Sequence, residues 1–145
     1  MGKRRSGRIL AFQALYAWDM ADNKIEALKD LLDFSWAENE QAEINDFSRL
    51  LFSGTVEKIN TVDAMIRKHL ENWDFSRLSC VDRALLRLSI YELLSGTTPS
   101  SVVINEAVDI SRVYGTDDSY RFINGVLDGV RKTMQNENKK EKSNE

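Results

Sequence analysis

The fold is decided at residues 102–130, which read VVINEAVDISRVYGTDDSYRFINGVLDGV. Apolar side chains recur there every three or four positions on both sides of Gly115, as they do along one face of an α-helix. The residues with this spacing are Val103, Ala107, Ile110, Phe122, Val126 and Val130. Gly115 closes the first pattern, and Thr116, Asp117 and Asp118 are capping candidates for the second. The stretch therefore predicts two helices joined by a short polar turn.

The same helical period recurs outward from this stretch, and no strong period-two pattern of a strand accompanies it. Ser79 is a candidate N-cap for the preceding helix, and Gly96 stands where a left-handed C-cap belongs. Pro99 prevents that helix from continuing. We therefore predict an all-α fold of about seven helices with mostly short connections.

Earlier in the chain the helix boundaries are less sharply marked. Asp22 and Asn23 predict a break after the first helix and a cap for the second. From about Gln41 to Leu70 the helical pattern is continuous, and Gly54 is its one weak point, so this segment is either one long helix or two. Within the last helix, Gly125 predicts close packing against a neighbouring helix.

These boundaries predict one helical domain over residues 1–134, divided by a loop at Asn72–Ser76. The N-terminal bundle covers about residues 1–72 and the C-terminal bundle about residues 77–134. Residues 135–145 contain no apolar side chain. Because these residues have no apolar surface to bury, nothing offsets the entropy lost when they become ordered, and we predict a disordered tail.

Composition excludes several classes of protein. The chain has 145 residues, of which 42% are hydrophobic and 30% charged, as is typical of a soluble globular domain. One cysteine and one histidine exclude an internal disulfide and a multi-thiolate zinc site, and leave no nucleophile–base pair with a supporting third group. No apolar run has membrane-spanning length, and the basic start does not have the pattern expected of a secretion signal. The scarcity of cysteine fits a reducing cytoplasm.

Positive charge is concentrated at the start of the chain, in Lys3, Arg4, Arg5 and Arg8. Because the net charge is −3 and the first eight residues contribute +4, the rest of the chain carries −7. A basic end on an acidic body indicates a polyanionic partner for that end, although a solvated tail would have the same composition. Charge alone leaves both interpretations open.

Three stretches together resemble the NusB family: GRILAFQALYAW at residues 7–18, VDRALLRLSIYELL at residues 81–94, and the stretch that opened this section. The resemblance implies an all-helical protein of two packed bundles that binds the boxA element of nascent RNA, especially in ribosomal RNA operons. It also implies a heterodimer with NusE, a small-subunit ribosomal protein, and assembly with other Nus factors on RNA polymerase. No catalysis and no cofactor belong to this family module.

The resemblance assigns RNA contacts to the basic start, at Lys3, Arg4, Arg5 and Arg8. Arginine suits this role because its planar guanidinium holds phosphate with two hydrogen bonds or stacks on a base. It assigns further contacts to the turn before the last helix. The matching positions there are Tyr114, Asp118, Ser119, Tyr120, Arg121 and Phe122. Aromatic faces stack on splayed bases and hydroxyl groups bind phosphate or base edges.

Alternatives remain at several of these positions. Phe122 shares a helical stripe with Val126 and Val130, so it is also a candidate for the core. Asp118 repels phosphate, and is either a helix cap or an acceptor that reads a base edge. By the same resemblance Asp82 and Arg87 are candidates for binding the protein partner, and the alternative is an ordinary surface role.

Two other classes of protein compete with an RNA-binding factor. One is a helical adaptor that binds only proteins, and the other is a membrane-surface protein that uses its basic first helix. Relatives that self-associate make a homodimer a further possibility. The leading interpretation requires the basic start and the turn before the last helix to lie close enough to hold one nucleotide strand.

Overall fold

The computed structural model describes residues 2–34, 42–71 and 74–143. Over these ranges it consists of seven α-helices and one short 3₁₀ helix, with no strand, so the all-α prediction is confirmed. The α-helices are α1 (Lys3–Met20), α2 (Ile25–Leu32), α3 (Ala42–Glu57), α4 (Ile59–Lys68), α5 (Cys80–Ser95), α6 (Ser100–Tyr114) and α7 (Ser119–Ser143). The 3₁₀ helix, Phe75–Arg77, lies between α4 and α5.

Helix α5 lies at the centre of the fold. Residues 84–90 are all buried, as expected for a helix surrounded on every side. It packs against α1, α3, α4, α6 and α7, and the strongest outer pairings are α1 with α3 and α6 with α7. One continuous apolar core runs through these helices. The basic start of the chain is thereby attached, through α1, to the same central helix that supports α6 and α7.

The predicted ends of α5 are confirmed. The Ser79 hydroxyl accepts a hydrogen bond from the Asp82 backbone N–H at 3.0 Å, as an N-cap does. Gly96 has a φ of 70°, the left-handed conformation that favours glycine at a helix end. Gly115 follows α6 in an extended conformation, and a side chain there would come within 2.6 Å of Ser119. Glycine is therefore required at that turn by close approach.

Two boundaries differ from the prediction. The break at Asp22 and Asn23 is present, and both residues have a positive φ. Neither of them caps α2, however, because the helix follows Lys24 and its N-terminus has no side-chain cap. The long central segment divides at Lys58 rather than at Gly54. Gly54 serves a different purpose, because a Cβ there would lie 2.2 Å from the Tyr91 hydroxyl. The glycine permits α3 and α5 to approach each other.

The last helix continues beyond the packed core. Met134 packs against the core, and residues 135–141 are exposed, yet α7 extends to Ser143 through most of the region predicted to be a disordered tail. Once a helix is nucleated by packing, each further residue adds one backbone hydrogen bond without any burial. Residues 144–145 of that tail, Gln41 and residues 72–73 of the predicted loop lie outside the described residues. Among the described helices, none is both long and apolar enough to cross a bilayer.

Candidate nucleic-acid interface

The basic block forms the first two turns of α1, and its members have different surroundings. Lys3 is exposed and its ammonium donates to Glu43 at 2.9 Å. This contact lowers the pKa of the Glu43 carboxyl below its usual value. Arg4 is exposed, and its guanidinium lies 4.9 Å from the centre of the Phe47 ring. Both cations therefore remain at the surface, where a phosphate can reach them.

Arg5 is held by two carboxylates of α6. Its Nε and Nη2 donate to Glu106 at 2.8 and 3.0 Å, and Nη2 also donates to Asp109 at 2.8 Å. The hydrogen bond from Arg5 holds the pKa of the Glu106 carboxyl below its usual value, although partial burial opposes this shift. The guanidinium is half-exposed, so an incoming phosphate would meet it already bound to two anions of the chain itself.

Arg8 corrects the sequence prediction. Its side chain is 6% exposed and donates two hydrogen bonds to Glu92 of α5, at 2.7 and 2.9 Å. A buried guanidinium must be paired because desolvation of an isolated charge is costly. Arg8 therefore belongs to the α1–α5 contact in the core rather than to the exposed basic surface.

The turn between α6 and α7 is built around Ser119, which is buried. Its hydroxyl accepts a hydrogen bond from the Thr116 N–H at 3.0 Å and lies 3.1 Å from the Thr116 hydroxyl. The predicted contact of Ser119 with phosphate is therefore replaced by a role in shaping the turn. Asp118, by contrast, is exposed, and its carboxylate forms no hydrogen bond within the described part of the chain.

The aromatic side chains near this turn occupy two environments. Tyr114 is 40% exposed and packs on Phe12, with ring centres 5.3 Å apart. Tyr120 is half-buried, and its hydroxyl accepts a hydrogen bond from Arg121 Nε at 2.9 Å. The guanidinium of Arg112 lies 4.6 Å from the centre of the Tyr120 ring.

Arg112 is the functional candidate that the sequence analysis missed. Arg112 is exposed in the last turn of α6, and it contacts the ring of Tyr120 in the next helix, α7. A basic residue one turn before a polar, aromatic-rich turn is the signal that could have found it. Because α6 also carries Asp109, one turn earlier, the helix joins the two predicted regions.

Two contacts and the residue spacing along α6 link Arg5 to the turn. Arg5 contacts Asp109, Arg112 lies three residues further along α6, and Arg112 covers Tyr120. We call the surface formed by Arg5, Arg112, Tyr120 and Arg121 the α1–α6–α7 surface. Arg5 is the residue of the basic start that reaches this surface, whereas Lys3 and Arg4 contact Glu43 and Phe47 of α3.

A cleft of about 270 Å³ opens between the starts of α5 and α7. Its lining includes Arg77, Asp82, Asp118 and Phe122. Phe122 is half-buried, packs against the core and also faces this cleft, so both interpretations of Phe122 hold in part. One carboxylate oxygen of Asp82 is buried and lacks a hydrogen-bond partner within the described residues. Asp82 thus belongs to the cleft shared with the turn.

Arg87 also differs from its predicted role in binding a partner. Its side chain is 3% exposed and donates two hydrogen bonds to Asp63 of α4, both at 2.9 Å. Asp19 of α1 lies 3.6 Å from its third nitrogen. Arg87 therefore ties three helices together in the interior, where a partner protein does not reach it.

Comparisons with known proteins give a consistent result. A family model described as the NusB family matches residues 5–132. The transcription antitermination protein NusB of Treponema pallidum (strain Nichols) is 52% identical over 90% of this chain and 93% of its own length. The protein of the same name from Treponema denticola is 47% identical over 88% of this chain and 95% of its own length.

Solved structures agree with these relatives. A structure of T. maritima NusB superposes with a TM-score of 0.80 and 34% identity, covering 91% of this chain and 92% of that one. A chain in a crystal structure of the antitermination factors NusB and NusE in complex with dsRNA superposes with a TM-score of 0.77. It is 29% identical and covers 92% of this chain and 98% of that one.

Proposed function

The chain belongs to the NusB family, and from this premise we propose that it is a transcription antitermination factor that binds RNA as a heterodimer with NusE. The RNA is the boxA element of ribosomal RNA operons, and the complex joins other Nus factors on RNA polymerase. Its activity is binding, without a catalytic step. This activity places the protein in the cytoplasm, where bacterial transcription occurs.

The α1–α6–α7 surface carries the proposal. It alternates cations with an aromatic ring, which is the combination that holds single-stranded RNA through phosphate contacts and base stacking. Arg112 and Arg121 both lie against Tyr120, with guanidinium-to-ring distances of 4.6 and 5.5 Å. Their orientation before binding reduces the side-chain entropy that binding would otherwise cost.

The cations in the first turns of α1 supply the phosphate contacts. Lys3 and Arg4 are exposed, and Arg5 can exchange the carboxylates of Glu106 and Asp109 for phosphate oxygens. That exchange replaces one charge-assisted hydrogen bond by another, so its net gain is smaller than that of a free arginine. RNA binding at this end therefore depends on several contacts acting together, and we expect it to be sensitive to salt.

The cleft beside the turn suits an unstacked base. Phe122 offers an aromatic face, and the carboxylate of Asp82 can accept a hydrogen bond from the amino group of a base. This gives the cleft a preference for bases with amino groups, and hence a source of sequence specificity.

NusE is the proposed protein partner. A related NusB has been solved together with NusE and dsRNA. Outside the first eight residues this chain carries a charge of −7, which favours association with a basic ribosomal protein. The contact residues for NusE lie elsewhere than Arg87, since that side chain is buried.

The test is an RNA-binding titration across a series of salt concentrations, with boxA-like and scrambled RNA, with and without NusE. We expect preference for boxA, a steep salt dependence and tighter binding when NusE is present. A variant with Arg4→Gln and Arg5→Gln should bind more weakly. The control, Lys24→Gln with Lys29→Gln, also removes two positive charges, from exposed positions at α2, and should not bind more weakly. Equal binding by all three proteins would instead indicate an adaptor that binds only proteins.

A further inference from the structure

Gly125 occupies an unusual position in α7. It is exposed in the middle of a 25-residue helix, and a Cβ built on it would meet no atom of the chain within 4 Å. Glycine at such a site destabilises a helix relative to alanine. The predicted packing of Gly125 against a neighbouring helix is therefore wrong within the described chain. Gly129, one turn later, differs, because a Cβ there would lie 3.1 Å from the ring of His69.

Gly125 lies on the floor of a shallow groove between the end of α4 and the first half of α7. The groove has a volume of about 440 Å³. Lys68 and Glu71 line it on the α4 side, and Arg121 and Phe122 line it on the α7 side. The ring of His69 is fixed there by contacts of 2.9 Å to the Met65 carbonyl and 2.8 Å to the Thr133 hydroxyl.

The cations on the two sides of this groove are available. Lys68 and Arg121 are both exposed, and neither forms an ion pair with a carboxylate in the described part of the chain. Arg121 hydrogen-bonds only to the neutral hydroxyl of Tyr120. Lys3 and Arg5, in contrast, are already bound to carboxylates. Arg121 also interacts electrostatically with Asp118, but no carboxylate is hydrogen-bonded to it. Two exposed cations that line one groove, neither bound to a carboxylate, favour an anionic ligand.

The groove is continuous with the cleft proposed for a base. Phe122 lines both, together with Asp118 in the cleft and with Gly125 in the groove. A strand that places a base in the cleft therefore has its next nucleotides beside Lys68, Arg121 and the exposed backbone of α7.

We propose that this groove binds a second segment of the same RNA, gripping its sugar–phosphate backbone rather than its bases. Lys68 and Arg121 contact successive phosphates, and Gly125 lets the strand approach α7 without meeting a side chain. The inference rests on the proposed function, because it extends the path of the RNA beyond the cleft. It explains why α7 contains a glycine that the folded chain itself does not use.

The same features argue against a protein helix as the occupant. A docked helix would need an apolar face, whereas the groove presents two cations and the carboxylate of Glu71 around its glycines. Phosphates follow a polar, cation-lined path that tolerates one carboxylate at its edge. NusE binding is accordingly a control measurement in the test.

The test compares a boxA-like core RNA with the same RNA extended by a few nucleotides at either end. Binding to the full chain is measured for the unchanged protein, Lys68→Gln, Gly125→Leu and the matched control Lys29→Gln. Extension at one end should tighten binding of the unchanged protein and of the control. Lys68→Gln should lose about fivefold of this gain at 0.1 M salt, because one phosphate contact on a single strand contributes a salt exponent of about 0.7.

Gly125→Leu should abolish the gain from extension because its side chain fills the groove, while its thermal stability stays equal or rises since leucine favours helix. Both variants should bind the core RNA as tightly as the unchanged protein does. Failure of the core RNA to bind at all would contradict the proposed function itself. With core binding intact, the inference fails if extension brings no gain, if the gain persists in both variants, or if the variants weaken NusE binding and not RNA binding.

Discussion

Arg8 and Glu92 face each other across the α1–α5 contact, joined by two hydrogen bonds of 2.7 and 2.9 Å in an almost fully buried setting. This pair fixes the start of α1 against the central helix. Arg5, one turn earlier, thereby reaches Glu106 of α6. The core ion pair thus sets the position of the exposed cations that we assign to RNA.

Removal of one member of this pair should destabilise the protein strongly. Arg8→Ala leaves the Glu92 carboxylate buried without its partner, so we expect a loss of about 3–5 kcal/mol in the free energy of unfolding. The double variant Arg8→Met, Glu92→Leu should recover most of that loss because it buries no charge. Urea unfolding measures both. If the Arg8→Ala protein were as stable as the unchanged protein but bound RNA poorly, Arg8 would be an RNA-binding residue rather than a residue of the core.

The ion pair of Arg5 and Glu106 predicts a specific dependence on pH. The pKa of Glu106 is below its ordinary value of 4.5 in the folded chain, owing mainly to its hydrogen bond with Arg5. A depressed carboxyl pKa contributes stability above the unfolded value, and that contribution is lost as pH falls through the folded value.

Arg5→Gln should therefore reduce the free energy of unfolding at pH 7, by about 1 kcal/mol or less for so exposed a pair, and by less at pH 3. Denaturant unfolding at both pH values gives the comparison. Glu106→Gln provides the control. At pH 7, Arg5→Gln should reduce the free energy of unfolding less in the Glu106→Gln protein than in the unchanged protein. If the loss of unfolding free energy caused by Arg5→Gln became larger toward low pH, the predicted direction of the pH dependence would be wrong.

Asp118 should oppose RNA binding by its charge. Its carboxylate is exposed and forms no hydrogen bond in the described structure, so Asp118→Asn should leave the fold intact. We expect the variant to bind boxA-like RNA more tightly, by no more than about fivefold, through the loss of one repulsive charge. Titrations at two salt concentrations test this. Weaker binding would show that the carboxylate reads a base edge.

Some of this molecule could be predicted from short stretches of sequence because the physical cause is local. Ser79 caps α5 through a hydrogen bond only three residues away, and Gly96 ends it through its own backbone conformation. The NusB resemblance likewise depended on contiguous stretches. Caps, periods and motifs are all visible within a few turns of helix.

Other features depend on partners far away in the chain. Arg8 pairs with a carboxylate 84 positions later, and Arg87 with one 24 positions earlier. A sequence pattern indicates that an arginine is charged, but not which helix face it meets after packing. The sequence pattern therefore indicates binding surfaces for both, although both are buried. Arg112 escapes a pattern-based prediction for the same reason, since the ring of Tyr120 reaches it only across the α6–α7 turn.

Arg112 should contribute to RNA affinity, although the sequence did not indicate it as a site residue. Arg112→Gln removes one exposed cation from the α1–α6–α7 surface, so we expect about fivefold weaker binding at 0.1 M salt and a salt exponent smaller by about 0.7. Lys132→Gln is a suitable control, because Lys132 is exposed on α7 and already paired with Asp128. Equal losses in the two variants would mean that only the net charge of the protein matters.

Two glycines should respond in opposite ways to alanine, although both lie within helices. At Gly54 a Cβ would overlap the Tyr91 side chain, with 2.2 Å to its hydroxyl oxygen and 2.3 Å to the ring carbon Cζ. The ring has to move and α3 has to separate from α5, so Gly54→Ala should lower the free energy of unfolding by about 1–3 kcal/mol. At Gly125 the added methyl group meets open space, and Gly125→Ala should raise the free energy of unfolding by up to about 1 kcal/mol. Thermal and urea unfolding of the two variants provide the comparison, with RNA binding measured alongside. If Gly125→Ala were as destabilising as Gly54→Ala, the position would be packed within the chain, and its glycine would need no ligand to explain it.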